Sequence, residues 1–214
     1  ALAHRKARKY QQAIADYNQV IKINSKYAEA FNNRGLTRYY LKDYQSAIAD
    51  FNQALKINPR LATAYSNRGL VYRNLKDYQK AITDYDQAIK LDPKYDTAYN
   101  NRGNAYNYLK DYQKAIVDFN QAIILNPRNT NAYNNRGFVY TELKDYQKAV
   151  ADFTQVIKID SQTPLAYYNR GYVYERLGNK TQAIKDFKQA ATLYQQQGNQ
   201  KDYQEVLEQI EKLT

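Results

Sequence analysis

The 214-residue chain has no cysteine and a single histidine, His4, and these two scarcities remove much of catalytic and metal chemistry at once. Without a thiol there is no disulfide, no thiolate metal site and no cysteine nucleophile, while the redox compartment stays open. A lone histidine in the first helix has no convergent partners for a metal ion and reads as a surface residue. No run of eighteen apolar residues occurs, and the opening ALAHRKARKYQQ has no apolar leader core, so no segment reads as membrane-spanning or as a signal peptide. The expected compartment is the cytoplasm. There is no Gly-rich phosphate loop and no nucleophile with a histidine partner. These absences point away from an enzyme and imply no cofactor and no metal, with a catalytic domain outside this sequence left open.

What is present is repetition. Sliding the chain by 34 residues superposes the NRG tripeptides that begin at Asn33, Asn67, Asn101, Asn135 and Asn169, and the KDYQ segments that begin at Lys42, Lys76, Lys110 and Lys144. A fixed period of this length means stacked supersecondary units, with the core expected as a continuous seam and not as two globular domains. In the copy at 96–129, Ala98, Tyr99, Gly103, Tyr106 and Leu109 recur at helical spacing on one side, which predicts a helix from about Thr97 to Leu109. Lys110-Asp111 breaks it, and Asp111 can cap a second helix that carries Ala115, Phe119, Ala122 and Leu125 inward and stops before Pro127. The boundaries follow as a partial unit at 1–27, full units at 28–61, 62–95, 96–129, 130–163 and 164–197, and a capping helix at 198–214. The first unit enters at its Gly position, and the missing front half suggests a piece of a longer protein. The last helix should place Tyr203, Val206, Leu207, Ile210 and Leu213 on one face as a polar-backed lid.

Tyr99, Gly103, Tyr106, Ala115, Phe119, Ala122 and Pro127 fall where the tetratricopeptide repeat (TPR) has aromatic, Gly, aromatic, Ala, aromatic, Ala and Pro. The chain up to about Gln197 resembles a tandem tetratricopeptide protein. That resemblance implies an all-α fold, a right-handed α-solenoid of 34-residue helix-turn-helix repeats, whose first helices line a concave surface. It also implies a protein-interaction scaffold that binds a protein or peptide segment.

Two features exceed what packing requires. Arg34, Arg68, Arg102, Arg136 and Arg170 stand at the edge of the apolar face of each first helix, and Asp50, Asp84, Asp118, Asp152 and Asp186 do so on each second helix. A buried lone charge is costly and a hydrogen-bonded Arg–carboxylate pair offsets most of that, so these read as pairs within each repeat. Asp16 is then the acid without its arginine. The alternative is that the arginines face the groove and bind an acidic ligand.

The second feature is the Asn ladder itself. Asn101 lies roughly 200° around the helix from Tyr99 and Gly103, which points it away from the packed side. The resemblance extends to arrays, such as those of O-linked N-acetylglucosamine transferase and kinesin light chain, that hold a peptide backbone with such a ladder. A carboxamide offers donor and acceptor together and matches a peptide group whatever its side chain. The neighbouring Asn32, Ser66, Asn100, Asn134 and Tyr168 drift between copies, which argues that the ladder is not an indifferent surface; solvation or a bond to the next repeat is the other reading. The candidate peptide-binding residues are therefore Asn33, Asn67, Asn101, Asn135 and Asn169, with Asn104, Tyr108, Phe138 and Tyr172 supplying sequence preference. The family's two-carboxylate clamp puts Lys and Arg three residues before and one after the Gly, where Asn, Ser and Tyr or Leu, Asn, Phe and Tyr stand here, so a receptor for chaperone carboxyl termini is not expected.

The formal charge of +11 and the 24 tyrosines invite a nucleic-acid reading. Placement argues against it, because most tyrosines fall at core positions and most lysines in turns or on outer faces. A basic surface still favours acidic partners at long range. Self-association through the exposed terminal repeat is a further expectation.

Overall fold

The computed structural model describes residues 2–213, with side chains from Lys9 onward; His4 lies outside the described side chains. Among the described residues there are twelve helices and no strand. The first is α1 (Leu2–Ile23). It is followed by pairs α2 (Ala28–Tyr40) and α3 (Tyr44–Ile57), α4 (Ala62–Asn74) and α5 (Tyr78–Leu91), then α6 (Asp96–Tyr108) and α7 (Tyr112–Leu125). Next come α8 (Thr130–Glu142) and α9 (Tyr146–Ile159), α10 (Pro164–Arg176) and α11 (Lys180–Gln196), and finally α12 (Gln200–Leu213).

The chain forms two compact units, residues 1–111 and 112–214. In a repeat architecture each element packs chiefly on its sequence neighbours. Unit 1 is built from α1–α6 and unit 2 from α7–α12. Within unit 1, α3 packs against both α2 and α4, and α5 against both α4 and α6; in unit 2, α9 and α11 are shared in the same way by α8, α10 and α12. First helices also touch directly, α2 on α4, α4 on α6 and α8 on α10. Each unit is a segment of α-solenoid.

Local chemistry explains the helix ends. Asp43, Asp77 and Asp145 accept hydrogen bonds from the backbone N–H of Ser46, Lys80 and Lys148, which satisfies an orphan donor in the first turn of α3, α5 and α9. The preceding helices close with paired bonds, Lys76 N–H to Arg73 O and Asp77 N–H to Tyr72 O in one copy. That closure needs a left-handed residue, and Lys42, Lys76, Lys110 and Lys144 hold φ between 60° and 63° where only Gly178 fills the place without a side-chain penalty. Leu109, expected on the packed side, is instead the C-cap of α6 and half-exposed.

The core is aromatic against glycine. A Cβ on Gly69 would meet the Tyr85 ring at 2.8 Å, so α4 and α5 approach only because that side chain is absent. Phe51, Phe119, Phe153 and Phe187 hold the place of Tyr85 in the other repeats, and all are fully buried. Tyr85 differs by a hydroxyl that is buried with no hydrogen-bond partner. Burial pushes the pKa of this phenol well above its ordinary value, so it stays protonated throughout the physiological range. Tyr85→Phe should therefore raise the unfolding free energy of unit 1 by about 1 kcal/mol, read by urea denaturation. A loss of stability on that change would reveal a partner for the hydroxyl.

Candidate functional site

The repeated arginines belong to the frame. Arg68 donates from Nε to Asp84 Oδ2 at 2.8 Å and from one terminal nitrogen to Asp84 Oδ1 at 2.6 Å, and its other terminal nitrogen reaches Asn52 Oδ1 at 2.6 Å. One guanidinium thus joins its own helix α4 to α5 behind and α3 before, while lying over the Tyr65 ring at 5.6 Å. Arg34 repeats this with Asp50 and Asn18, Arg136 with Asp152 and Asn120, and Arg170 with Asp186 and Thr154. In unit 1, Arg102 reaches Asp86 at 2.6 Å in the same register. The pairing expected within each repeat is present in these four copies, Asp16 on α1 is exposed, and the alternative of arginines turned to a groove ligand is overturned because their donors are used internally. Burial pushes the carboxyls of Asp84 and Asp152 upward, opposed by Arg68 and Arg136. The hydrogen bond to Asp84 in turn pushes Arg68 upward. The Asn18, Asn52, Asp86, Asn120 and Thr154 positions were not singled out from sequence, although they recur at the 34-residue period.

The Asn ladder lies where the first helices touch. Asn33 is exposed, and Asn67, Asn101, Asn135 and Asn169 are half-buried. Asn67 Nδ2 donates to Asn32 Oδ1 at 3.0 Å and Asn169 Nδ2 to Asn134 Oδ1 at 3.1 Å, so these carboxamides spend one donor on the preceding repeat. The argument that Asn32, Ser66 and Asn100 vary because nothing constrains them is corrected here. All three are under 9 % exposed, and Asn32 is the partner of Asn67 in the next first helix. Each of these two carboxamides carries one further N–H and a carbonyl oxygen.

Large exposed rings stand at the carboxyl ends of α2 and α6, and in unit 2 two exposed rings meet the ladder. In unit 1, Tyr108 stacks on Tyr78 at 5.0 Å, and Tyr40 stacks on Tyr10 at 5.8 Å and meets Tyr39 edge-on. Tyr39 accepts from Asn74 Nδ2 at 2.8 Å, and Asn104 is half-buried. Each stack joins a tyrosine at the start of one second-helix segment, Tyr78 of KDYQ or Tyr10 at the equivalent place, to the end of the next first helix thirty residues later, a pairing not read from sequence. In unit 2, Phe138 is 48 % exposed and Tyr172 36 %. They line an open cavity of about 240 Å³ with Thr141, Glu142, Phe153, Tyr168 and Asn169. Arg176 donates to the Tyr172 hydroxyl at 2.8 Å and lies over its ring. Among the described residues no group of three or more His, Cys, Asp or Glu is placed to hold a metal ion, and no helix is long and apolar enough to cross a membrane.

Paired helices at a 34-residue period, an aromatic–glycine core and first helices carrying the exposed polar and aromatic row define a helical repeat scaffold. The chain belongs to the tetratricopeptide repeat family: the family model matches residues 28–61, 62–95, 97–129 and 164–197. Further models of the repeat match residues 1–42, 139–178 and 119–151. Among solved structures it is similar to MamA, with 27% identity, 77% of this chain and 96% of that chain covered, and a TM-score of 0.70. It is also similar to YrrB, a TPR protein with an unusual peptide-binding site, at 22% identity, 90% and 96% coverage and a TM-score of 0.67. A thermophilic TPR protein of Thermus thermophilus matches at 22% identity, 84% and 98% coverage and a TM-score of 0.69. No curated protein matches the chain. Family and fold support a protein-interaction scaffold, and the family is in general not enzymatic.

Proposed function

We propose that the protein binds an extended peptide segment along its first helices, holding the peptide groups with the Asn ladder and reading side chains with the exposed aromatics. Asn33, Asn67, Asn101, Asn104 and Tyr108 do this in unit 1, and Asn135, Phe138, Asn169 and Tyr172 in unit 2. The observation that carries the reading is the open cavity of unit 2, where Asn169 stands among Phe138, Tyr168 and Tyr172. Two partly exposed rings, one of them backed by Arg176, beside a carboxamide of known orientation suit an apolar side chain next to its own backbone. The peptide-binding site of YrrB lends support by analogy of fold alone.

The test is fluorescence anisotropy with a positional-scanning library of short fluorescein-labelled peptides. Phe138→Ala/Tyr172→Ala should weaken the tightest peptide by about tenfold or more, at roughly 1 kcal/mol for each lost apolar contact, with circular dichroism unchanged. Equal affinities in a folded double variant would move the site elsewhere.

A further inference from the structure

We propose that the groove of unit 2 contains a cation subsite, beside the apolar cavity, that takes the side chain of a lysine or arginine in the bound segment. This rests on the peptide-binding reading above and adds the chemistry of one side chain to it. The subsite lies at the amino ends of α10 and α12, where Leu165, Tyr168, Tyr194, Asp202, Glu205 and Val206 line an open cavity of about 140 Å³.

Each wall fits one part of such a side chain. Asp202 and Glu205 bring two carboxylates, and no basic residue is among the six lining side chains. Asp202 is held in place by Asn199, whose Nδ2 donates to its Oδ2 at 2.6 Å. Tyr194 is more than nine-tenths buried, yet it lines the cavity, and its hydroxyl has no hydrogen-bond partner among the described residues. A phenol oxygen that opens on the cavity can accept from an ammonium or guanidinium. The rings of Tyr168 and Tyr194 add faces for a cation, and Leu165 and Val206 match a methylene stem.

The field at this place is negative. Burial together with Asp202 and Glu205 pushes the Tyr194 phenol up to about 12, and burial with Glu205 and Glu175 pushes Tyr168 up as well. Nor does the strong positive charge of the chain reach here undiminished. Residues 1–111 carry nineteen Lys and Arg against ten Asp and Glu, whereas residues 112–214 carry thirteen against eleven. A hard divalent cation would need more oxygen ligands than two carboxylates, one engaged by Asn199 and the other by the Tyr168 hydroxyl, can offer. Tyr168 also lines the neighbouring cavity with Asn169, Phe138 and Tyr172. A single segment therefore passes from an apolar residue there to a basic one here.

The experiment uses the same peptide library on the intact chain. Wild type should select lysine or arginine at one position, and replacing that residue by norleucine in the selected peptide should weaken binding about tenfold. Glu205→Gln, an exposed residue on α12, should erase that difference while leaving the norleucine peptide bound as before. Tyr194→Phe should reduce the difference in part. Binding with no cation preference at any position, or a preference that Glu205→Gln leaves intact, overturns the subsite and spares the groove. A library in which no peptide binds above background overturns the groove reading, and the subsite with it.

Discussion

Replacing Arg68 by leucine is expected to lower the stability of unit 1 by roughly 3–5 kcal/mol, because the substitution leaves Asp84 buried without its partner. The side chain of Asp84 is 5 % exposed, and both of its oxygens accept from Arg68. Asn52 loses its contact in the same step, which removes one polar tie between α3 and α4. The deficit should depend on pH in one direction. Burial already raises the Asp84 carboxyl above its ordinary value against the opposing pull of Arg68. A raised native pKa means that the folded state holds the proton more tightly, so this contribution is complete below the unfolded value and lost as pH rises through the native one. Removing Arg68 raises the native value further, and the gap to wild type should narrow as pH falls from neutral toward about 4. Urea unfolding across that range reads it. The double variant Arg68→Leu/Asp84→Leu should recover most of the loss at neutral pH, since an apolar pair can replace a buried ion pair at little cost. A deficit that is the same at every pH would show that the carboxylate had found water or another donor.

Those pairs mark where the sequence was easily read. An Arg and an Asp sixteen residues apart, each inside an apolar stripe, leave few options, because a charge at such a place must be paired. Their third partner was invisible for the opposite reason: Asn52 and its counterparts sit on the outer side of second helices, where a polar residue is the ordinary solvated case. The Asn ladder was legible as a row but its environment was not. Position in a helix gives an angle, and only the approach of the next first helix turns Asn32 and Ser66 from surface residues into buried ones. The turn lysines were seen as helix breakers, yet their left-handed backbone follows from the closing hydrogen bonds and not from residue type, since lysine has no preference for it. Tyr85 shares its column with four phenylalanines, and the sequence alone does not show what its hydroxyl meets. The missing partner of its hydroxyl is a matter of three neighbouring helices, which no single-repeat pattern contains.

Removing α12 should cost the most. Its Val206 is 1 % exposed and closes a cluster with Ala183, Phe187, Ala190, Ala191 and Tyr194, and Tyr203, Ile210 and Leu213 pack on the same cluster. Leu207, placed on that face by periodicity, is instead 37 % exposed, because the buried stripe is centred on Val206 and narrower than the pattern suggested. At about 1.5–3 kcal/mol for a fully buried aliphatic side chain, one complete and three partial burials amount to on the order of 5 kcal/mol. Deleting residues 200–214 therefore strips most of the stability available to the last repeat, and it leaves Tyr194 and the alanines of α11 as an open apolar face. The expected result is a lower melting temperature with concentration-dependent association, followed by thermal unfolding and by light scattering after size exclusion. Two point variants separate loss of the lid from loss of length. Val206→Asp puts a carboxylate into the cluster and should reproduce most of the deletion, whereas Leu207→Asp, one residue along and half out in water, should stay within about 0.5 kcal/mol of wild type. A deleted chain that remains monomeric and melts where the full chain does would mean that α11 needs no cover, and the same outcome for Val206→Asp would place the valine outside the packed seam.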